Sequence, residues 1–304
     1  MTFIRLMLAA DYQENYEKKV GETVDFLRGQ LGEMKPEFGL VLGSGLDDLS
    51  GLIEIDKAIE YKDIPNFPTP TVAGHEGKLY VGSLEGVPII GLKGRKHYYE
   101  VADEPLNTGM LQVIFPVHVL AGLGVKNYFP TNASGGLNPG YDVGDVMVIR
   151  SHINMIPNPL LGRHMDFKTL NGERVARFPP MNEAYDPELT GMLLEAGKSL
   201  KGIREGKYLA VTGPTYETSA ECIAFRDGLL ADAVGMSTAP EVIVANSRGL
   251  KVTGFSVITN KIDEDGINAT SHDEVLKVLA SPKVRTRLTS LVRNFFREYN
   301  NLSR

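Results

Sequence analysis

The stretch Gly94-Arg95-Lys96-His97-Tyr98-Tyr99 places a guanidinium, an imidazole and a phenol at alternate positions. If it is extended, Arg95, His97 and Tyr99 face one side, because strand side chains alternate. The planar fork of Arg95 suits a phosphate and His97 adds a second donor. Tyr99 adds an aromatic face and a hydroxyl. An apolar run at 87–92 precedes the stretch, so these groups sit where a buried strand would end. Two glycine-rich stretches also follow apolar runs. Gly43-Ser44-Gly45-Leu46 either gathers backbone N–H groups around an anion, with the Ser44 hydroxyl beside them, or makes a tight strand-to-helix turn. It lacks the lysine and spacing of a P-loop, and Asp48 stands where a dinucleotide fingerprint needs its third glycine. Thr131-Asn132-Ala133-Ser134-Gly135-Gly136 either lets a ligand approach the backbone closely or is an ordinary turn.

Helix starts supply the remaining candidates. Thr218-Ser-Ala-Glu221, Thr238-Ala-Pro-Glu241 and Ser271-His-Asp-Glu274 each fit the capping box that opens a helix. Beside them stand Tyr216 and Glu217, Met236 and Ser237, and His272. Ser237 would lie at the positive end of a helix dipole, a favourable place for phosphate. Glu217 either accepts two hydrogen bonds from a ligand or merely complements its helix dipole. Asn260 ends the apolar run Val257-Ile258-Thr259 with an amide that both donates and accepts, which suits the edge of a heterocycle. His118, inside an apolar helical stretch, reads as a core or interface histidine. Cys222 reads as packing, the run Asp263-Glu264-Asp265 as a solvated loop, and His152 and His164 carry no assignment.

The elements that must position these groups alternate. Apolar runs at 38–42, 87–92, 127–130, 145–149, 208–212, 232–235 and 252–259 read as strands, several of them buried on both faces. Amphipathic segments at 14–28, 108–123, 187–199, 218–230, 239–247, 272–279 and 284–299 read as helices. That order implies a largely parallel, doubly wound α/β sheet with helices on both sides, in one domain spanning 1–304. Ligands of such sheets bind beyond the carboxyl ends of the strands. The segment 158–185 reads as a long loop.

Composition removes several classes. The chain has 304 residues and a net charge of −6, which speaks against binding a nucleic-acid backbone but not against a locally positive pocket. One cysteine excludes an internal disulfide framework and a cysteine-based zinc cluster. No apolar run reaches the ~18 residues of a membrane span. The expectation is a cytoplasmic protein with no membrane or nucleic-acid partner and no metal.

Taken together, GSGL (43–46), GHEGKLYVG (74–82), GRKHYYE (94–100), TNASGGLN (131–138), RFPPMNEAY (177–185), GPTYETSAEC (213–222), DAVGMSTAPEVIVA (232–245) and SVITNK (256–261) resemble the trimeric, low-molecular-weight purine nucleoside phosphorylases. The resemblance runs from about residue 38 to 279. It implies a single α/β domain whose twisted mixed sheet is partly closed into a barrel, which refines the doubly wound reading. It implies reversible phosphorolysis of inosine, guanosine and their 2′-deoxy forms to free base and (deoxy)ribose 1-phosphate. It implies a homotrimer, with phosphate as co-substrate and no cofactor. Ser44, His75, Arg95, His97, the backbone of Ala133, and Ser237 match phosphate-site positions. Tyr99, Met236 and His272 match ribose-site positions, and Tyr216, Glu217 and Asn260 match purine-site positions. Asn260, Glu217 and His97 would carry the catalysis.

Some residues depart from the family pattern. Lys96 stands where an aromatic is common, and Val101-Ala102 replaces Gly-Tyr. The aromatic that crosses between subunits in relatives has its best local match at Glu173-Arg174-Val175, so that here it is either absent or replaced by Phe167 or Phe178. The sister branch, 5′-methylthioadenosine phosphorylase, would have an acid for the 6-amino edge and an apolar residue near the 5′ group. A nucleoside-binding protein without catalysis is the other alternative.

Overall fold

The computed structural model describes residues 3–43, 45–72, 77–162, 164–268 and 270–302. Ser44 and His75 lie outside the described residues. Helices α1 (Phe3–Glu14) and α2 (Tyr16–Leu31) lead into strand β1 (Phe38–Leu42). Then come β2 (Glu54–Glu60), β3 (Lys78–Leu84), β4 (Val87–Lys93), α3 (Thr108–Gly122), β5 (Asn127–Gly136) and β6 (Val146–Asn154). The chain continues through α4 (Pro187–Ala196), β7 (Ile203–Ala210), α5 (Ser219–Ile223), β8 (Ala233–Gly235) and α6 (Ala239–Ser247). It closes with β9 (Lys251–Val252), β10 (Phe255–Lys261), α7 (His272–Leu279) and α8 (Pro282–Leu302).

The strands join in the order β10-β6-β7-β8-β5-β1-β4-β3-β2, and β10 pairs again with β5. Strands β5, β8, β7, β6 and β10 therefore close on themselves as a barrel. Strand β5 serves two surroundings. Its first half runs parallel to β1 and β9, and its second half pairs with β10 and β8. The change falls at Pro130-Thr131, where proline removes a ladder donor. The Thr131 hydroxyl mends the seam: it donates to the Val41 carbonyl at 2.7 Å and accepts from the Gly43 N–H at 3.2 Å.

The expectation of a largely parallel sheet is corrected. The pairings β2–β3, β3–β4, β6–β10 and β5–β8 are antiparallel. Strand β2 went unread because its sequence, EIDKAIE, is charged and solvent-facing, with no apolar run. The strand expected at 252–259 breaks at Gly254, where a Cβ would overlap the carbonyl oxygen of Pro130. The helix expected at 218–230 stops at Ile223 and passes into a single π turn, Ala224–Gly228. The helix expected at 14–28 starts at Tyr16, and α1 precedes it.

Two apolar layers flank the sheet. One gathers residues of α2, α3 and α6. The other is closed by α8, whose Val284, Leu288, Leu291, Val292, Phe295 and Phe296 recur at helical spacing and are all buried. Phe295 and Phe296 meet Phe38 and Phe129, rings that stand on β1 and β5. This packing backs the barrel wall, and the carboxyl ends of the mutually parallel β1, β4, β5 and β10 open together on one side, while β8 runs antiparallel to β5.

Candidate active site

Arg95 follows β4 and is 4% exposed. One of its terminal nitrogens donates toward Ser237 Oγ (3.0 Å), Thr238 Oγ1 (2.8 Å) and Glu241 Oε2 (3.1 Å). The other donates to the Thr131 carbonyl at 2.6 Å. Arg95 thus clasps the turn before α6 to the point where β5 changes partners. Burying a guanidinium beside a carboxylate requires close geometry and several further hydrogen bonds, which this arrangement supplies.

The capping box expected at Thr238 does not form, whereas those at Thr218 and Ser271 do. Thr238 has φ +71°, an uncommon conformation for a β-branched residue, and makes no cap bond. Its hydroxyl oxygen instead accepts from Arg95 and from the Asn132 amide at 2.8 Å. With two donors already on that oxygen, its hydrogen is left for Ser237 Oγ, 3.1 Å away. The Ser237 hydrogen is thereby available to a ligand. Asn132 is held in turn by Ser256 Oγ, which lies 2.5 Å from its Oδ1 and 2.6 Å from Ser134 Oγ.

His97 is tied to Glu100. The Glu100 Oε1 oxygen accepts from the His97 N–H at 2.6 Å and lies 3.1 Å from the ring Nδ1. The other oxygen accepts from the N–H and hydroxyl of Thr71, at 2.7 and 2.5 Å. Burial works to raise the Glu100 carboxyl, but these hydrogen bonds from His97 and Thr71 outweigh it and pull it down to about 2. The fixed carboxylate orients the imidazole, whose ring stacks on Tyr99 with centroids 5.0 Å apart. Burial, with Glu100 and Tyr216 nearby, pushes the Tyr99 phenol up to about 12. Lys96 turns away from the cleft: its Nζ donates to the Thr69 carbonyl at 2.8 Å and stands 3.6 Å from Glu100.

Across the cleft, Asn260 sits at the end of β10 just beyond a register shift in its pairing with β5. Its Oδ1 accepts from Thr259 Oγ1 at 3.2 Å, and its Nδ2 donates to Asn268 Oδ1 at 2.8 Å. A Cβ on Gly135 would come within 3.0 Å of that Nδ2, so the bare backbone there makes room for the amide. Asn268 Nδ2 reaches Glu217 Oε2 at 3.5 Å. Burial pushes the Glu217 carboxyl above its ordinary range.

Arg95, His97, Asn132, Ser237, Glu217, Asn260 and Asn268 border one cavity of about 140 Å³, together with Tyr99, Ala133, Tyr216, Met236 and His272. A single water needs only ~10–15 Å³ of such space, so the cavity suits an organic ligand. Every described residue assigned to the site from the sequence borders this cavity: Arg95, His97, Tyr99, Ala133, Tyr216, Glu217, Met236, Ser237, Asn260 and His272. The sequence reading missed Thr238 and Glu241, taken as helix caps, and Asn268, which sits in a polar loop without period. Burial lifts the Cys222 thiol to about 11, in keeping with a packing role. His118 is likewise internal, accepting from Arg248 at 2.8 Å with Phe167 stacked on it. Among the described residues, no group of three or more His, Cys, Asp or Glu could hold a metal, and no helix is long and apolar enough to cross a membrane.

Comparison with known proteins places this geometry. The model of the phosphorylase superfamily matches residues 37–297. Purine nucleoside phosphorylase 1 of Bacillus subtilis is 43% identical over 284 residues, covering 92% of this chain and 98% of that protein. The purine nucleoside phosphorylase of Rattus norvegicus is 42% identical, covering 87% of this chain and 88% of that protein. A crystal structure of a Schistosoma purine nucleoside phosphorylase in complex with hypoxanthine superposes with a TM-score of 0.79 at 30% identity, over 92% of this chain and 97% of that one. With its barrel closed by β5 and a cleft beside the strand ends, the chain belongs to the purine nucleoside phosphorylase family.

Proposed function

We propose that the protein catalyses reversible phosphorolysis of purine nucleosides, with inosine, guanosine and their 2′-deoxy forms as substrates. The observation that carries this reading is the meeting of two unlike ends in one cleft. At one end Arg95, His97 and Ser237 offer donors beside the N-terminus of α6. At the other end a carboxylate, Glu217, and an amide, Asn260, face the same space. Tyr99, Met236 and His272 also border it, where a sugar would bridge the two.

Each residue has a part in the reaction. Phosphate sits between His97, Ser237 and the Ala133 backbone, with Arg95 and the dipole of α6 favouring its charge. Ser44 and His75 complete that end by sequence position. The sugar is held near the anion, with His272 at its 5′-hydroxyl. As the glycosidic bond stretches, the sugar gains positive charge, which the phosphate stabilises before capturing the anomeric carbon. The purine leaves with negative charge. Asn260 stabilises it through the five-membered ring and the 6-oxo group, while Glu217 accepts from the N–H of the six-membered ring. No protein nucleophile is called for: preorganised donors and positioning lower the barrier.

The same reading takes phosphate as co-substrate with no metal or organic cofactor, and the whole chain as one domain. It takes the working form as a homotrimer. Phe178, 89% exposed in the loop at 158–185, supports that assembly, since Phe167 is spent against His118 and Arg248. The single cysteine supports a cytoplasmic setting. An amide at 260 and an imidazole at 272 favour 6-oxopurines with a free 5′-hydroxyl over methylthioadenosine. The test is inosine cleavage with and without phosphate. Phosphate-dependent release of hypoxanthine and ribose 1-phosphate is expected. Equal cleavage without phosphate would make the protein a hydrolase, and cleavage of methylthioadenosine in place of inosine would move it to the sister branch.

A further inference from the structure

Asn268 stands between the two residues assigned to the base. Its Oδ1 accepts from Asn260 Nδ2 at 2.8 Å, a firm bond that fixes which way the amide faces. Its Nδ2 reaches Glu217 Oε2 at only 3.5 Å, the long limit of a hydrogen bond, so that donor is weakly engaged. Asn268 also borders the cavity. The loop that carries it is held down. Ile267 donates to Asp263 Oδ1 at 2.7 Å, and Arg226 donates to the carbonyls of Asp263 and Glu264, each at 3.0 Å. Arg226 belongs to the turn continuing from α5, so the loop is fastened to the segment that follows Glu217.

In a purine, the 6-substituent lies between ring nitrogen 1 and ring nitrogen 7. Glu217 is assigned to the N–H at position 1 and Asn260 to the side of position 7, so a residue bridging the two faces position 6. A keto oxygen there has two lone pairs. Asn260 can satisfy one, and the under-used Nδ2 of Asn268 is placed for the other. We infer that Asn268 is a specificity-determining residue that reads the 6-oxo group of the base. The inference rests on the proposed base site.

The test compares two free bases, hypoxanthine and its 6-thio analogue, which keeps the N–H at position 1 but carries a weakly accepting sulfur at position 6. Their binding is measured by calorimetry on the full-length protein and on Asn268→Ala and Asn268→Leu, the second preserving side-chain bulk. Loss of one neutral hydrogen bond predicts hypoxanthine binding weaker by roughly tenfold in both variants. Binding of the 6-thio analogue should stay within about twofold, the scale left by a contact that was barely made. Equal loss for both bases would assign Asn268 to holding Asn260 in place and overturn the inference, as would unchanged hypoxanthine binding. Asn260→Ala and Glu217→Ala are run alongside. If they too leave hypoxanthine binding at the wild-type level, the base site itself is misplaced and the inference falls with it. If they weaken binding while Asn268→Ala does not, only the inference falls.

Discussion

Arg95 and Glu241 lie 3.1 Å apart, with 4% and 5% of their surfaces exposed. They are separated by 146 positions in the chain. The pair joins the end of β4 to the first turn of α6, the two elements that frame the anion end of the cleft. A carboxylate here would seem to work against an anion. It instead balances the guanidinium and holds it against Ser237 and Thr238.

Removing that carboxylate tests the arrangement. Glu241→Gln keeps the shape but leaves a buried charge less compensated, a change worth about 3 kcal/mol of stability. The variant should melt well below wild type in phosphate-free buffer. Inorganic phosphate should raise its melting temperature more than that of wild type, because the ligand supplies the missing charge. Identical melting without phosphate would show that the pair does not stabilise the fold.

Asn260→Ala removes the amide placed to meet the charge that develops on the leaving purine. The loss of one such preorganised donor costs about 3 kcal/mol at the transition state. Turnover of inosine should fall roughly a hundredfold or more by steady-state kinetics. Near wild-type turnover would take the residue out of catalysis.

Glu217 should set the acid limb of the pH profile. Its carboxyl must be ionised to accept from the base, and burial raises it above its ordinary range. As pH falls, Glu217 takes its proton earlier than a solvent-exposed glutamate, whose pKa is about 4.3. The kcat/KM for inosine should therefore decline on the acid side with an apparent pKa above that value. Glu217→Gln should be slow throughout and lack that limb. Persistence of the limb in the variant would assign it to another group.

Gly135→Ala probes the base end without removing a polar group. The new Cβ would stand 3.0 Å from Asn260 Nδ2, so the amide must shift by a few tenths of an ångström. Small displacements of positioning groups are costly in rate, and a loss on the order of tenfold in kcat/KM is expected. The melting temperature should change little. A full-rate variant would mean that the amide tolerates the shift.

Local chemistry was well marked in the sequence. Arg95, His97 and Tyr99 could be chosen because alternate spacing after an apolar run puts them on one side of a strand end, and all three border the cleft. Ser237 could be chosen because it stands at the positive end of a helix dipole, whereas His272 reads as solvated there and enters only through the family resemblance; both border the cleft. Strands β1 and β4 were legible because burial on both faces leaves near-continuous apolar runs, PheGlyLeuValLeu in β1 and ValProIleIleGlyLeu in β4. Strand β2 was not, since an exposed strand at the sheet edge needs no such run.

What sequence alone determined, then, is which residue types stand at the ends of buried strands and at helix starts, because alternation, helical period and capping act over a few residues. Tertiary structure decided what those types do. Thr238 and Glu241 spell a capping box, yet Arg95, brought from 143 and 146 positions away, takes both side chains into its own network. A buried guanidinium demands acceptors more strongly than a helix start demands a cap, so the long-range contact wins. Asn268 meets Glu217 from 51 positions away because β10 returns to pair with β5 and closes the barrel. Closure depends on strand pairings between distant segments, and those leave no periodic mark in the residues that the closure brings together.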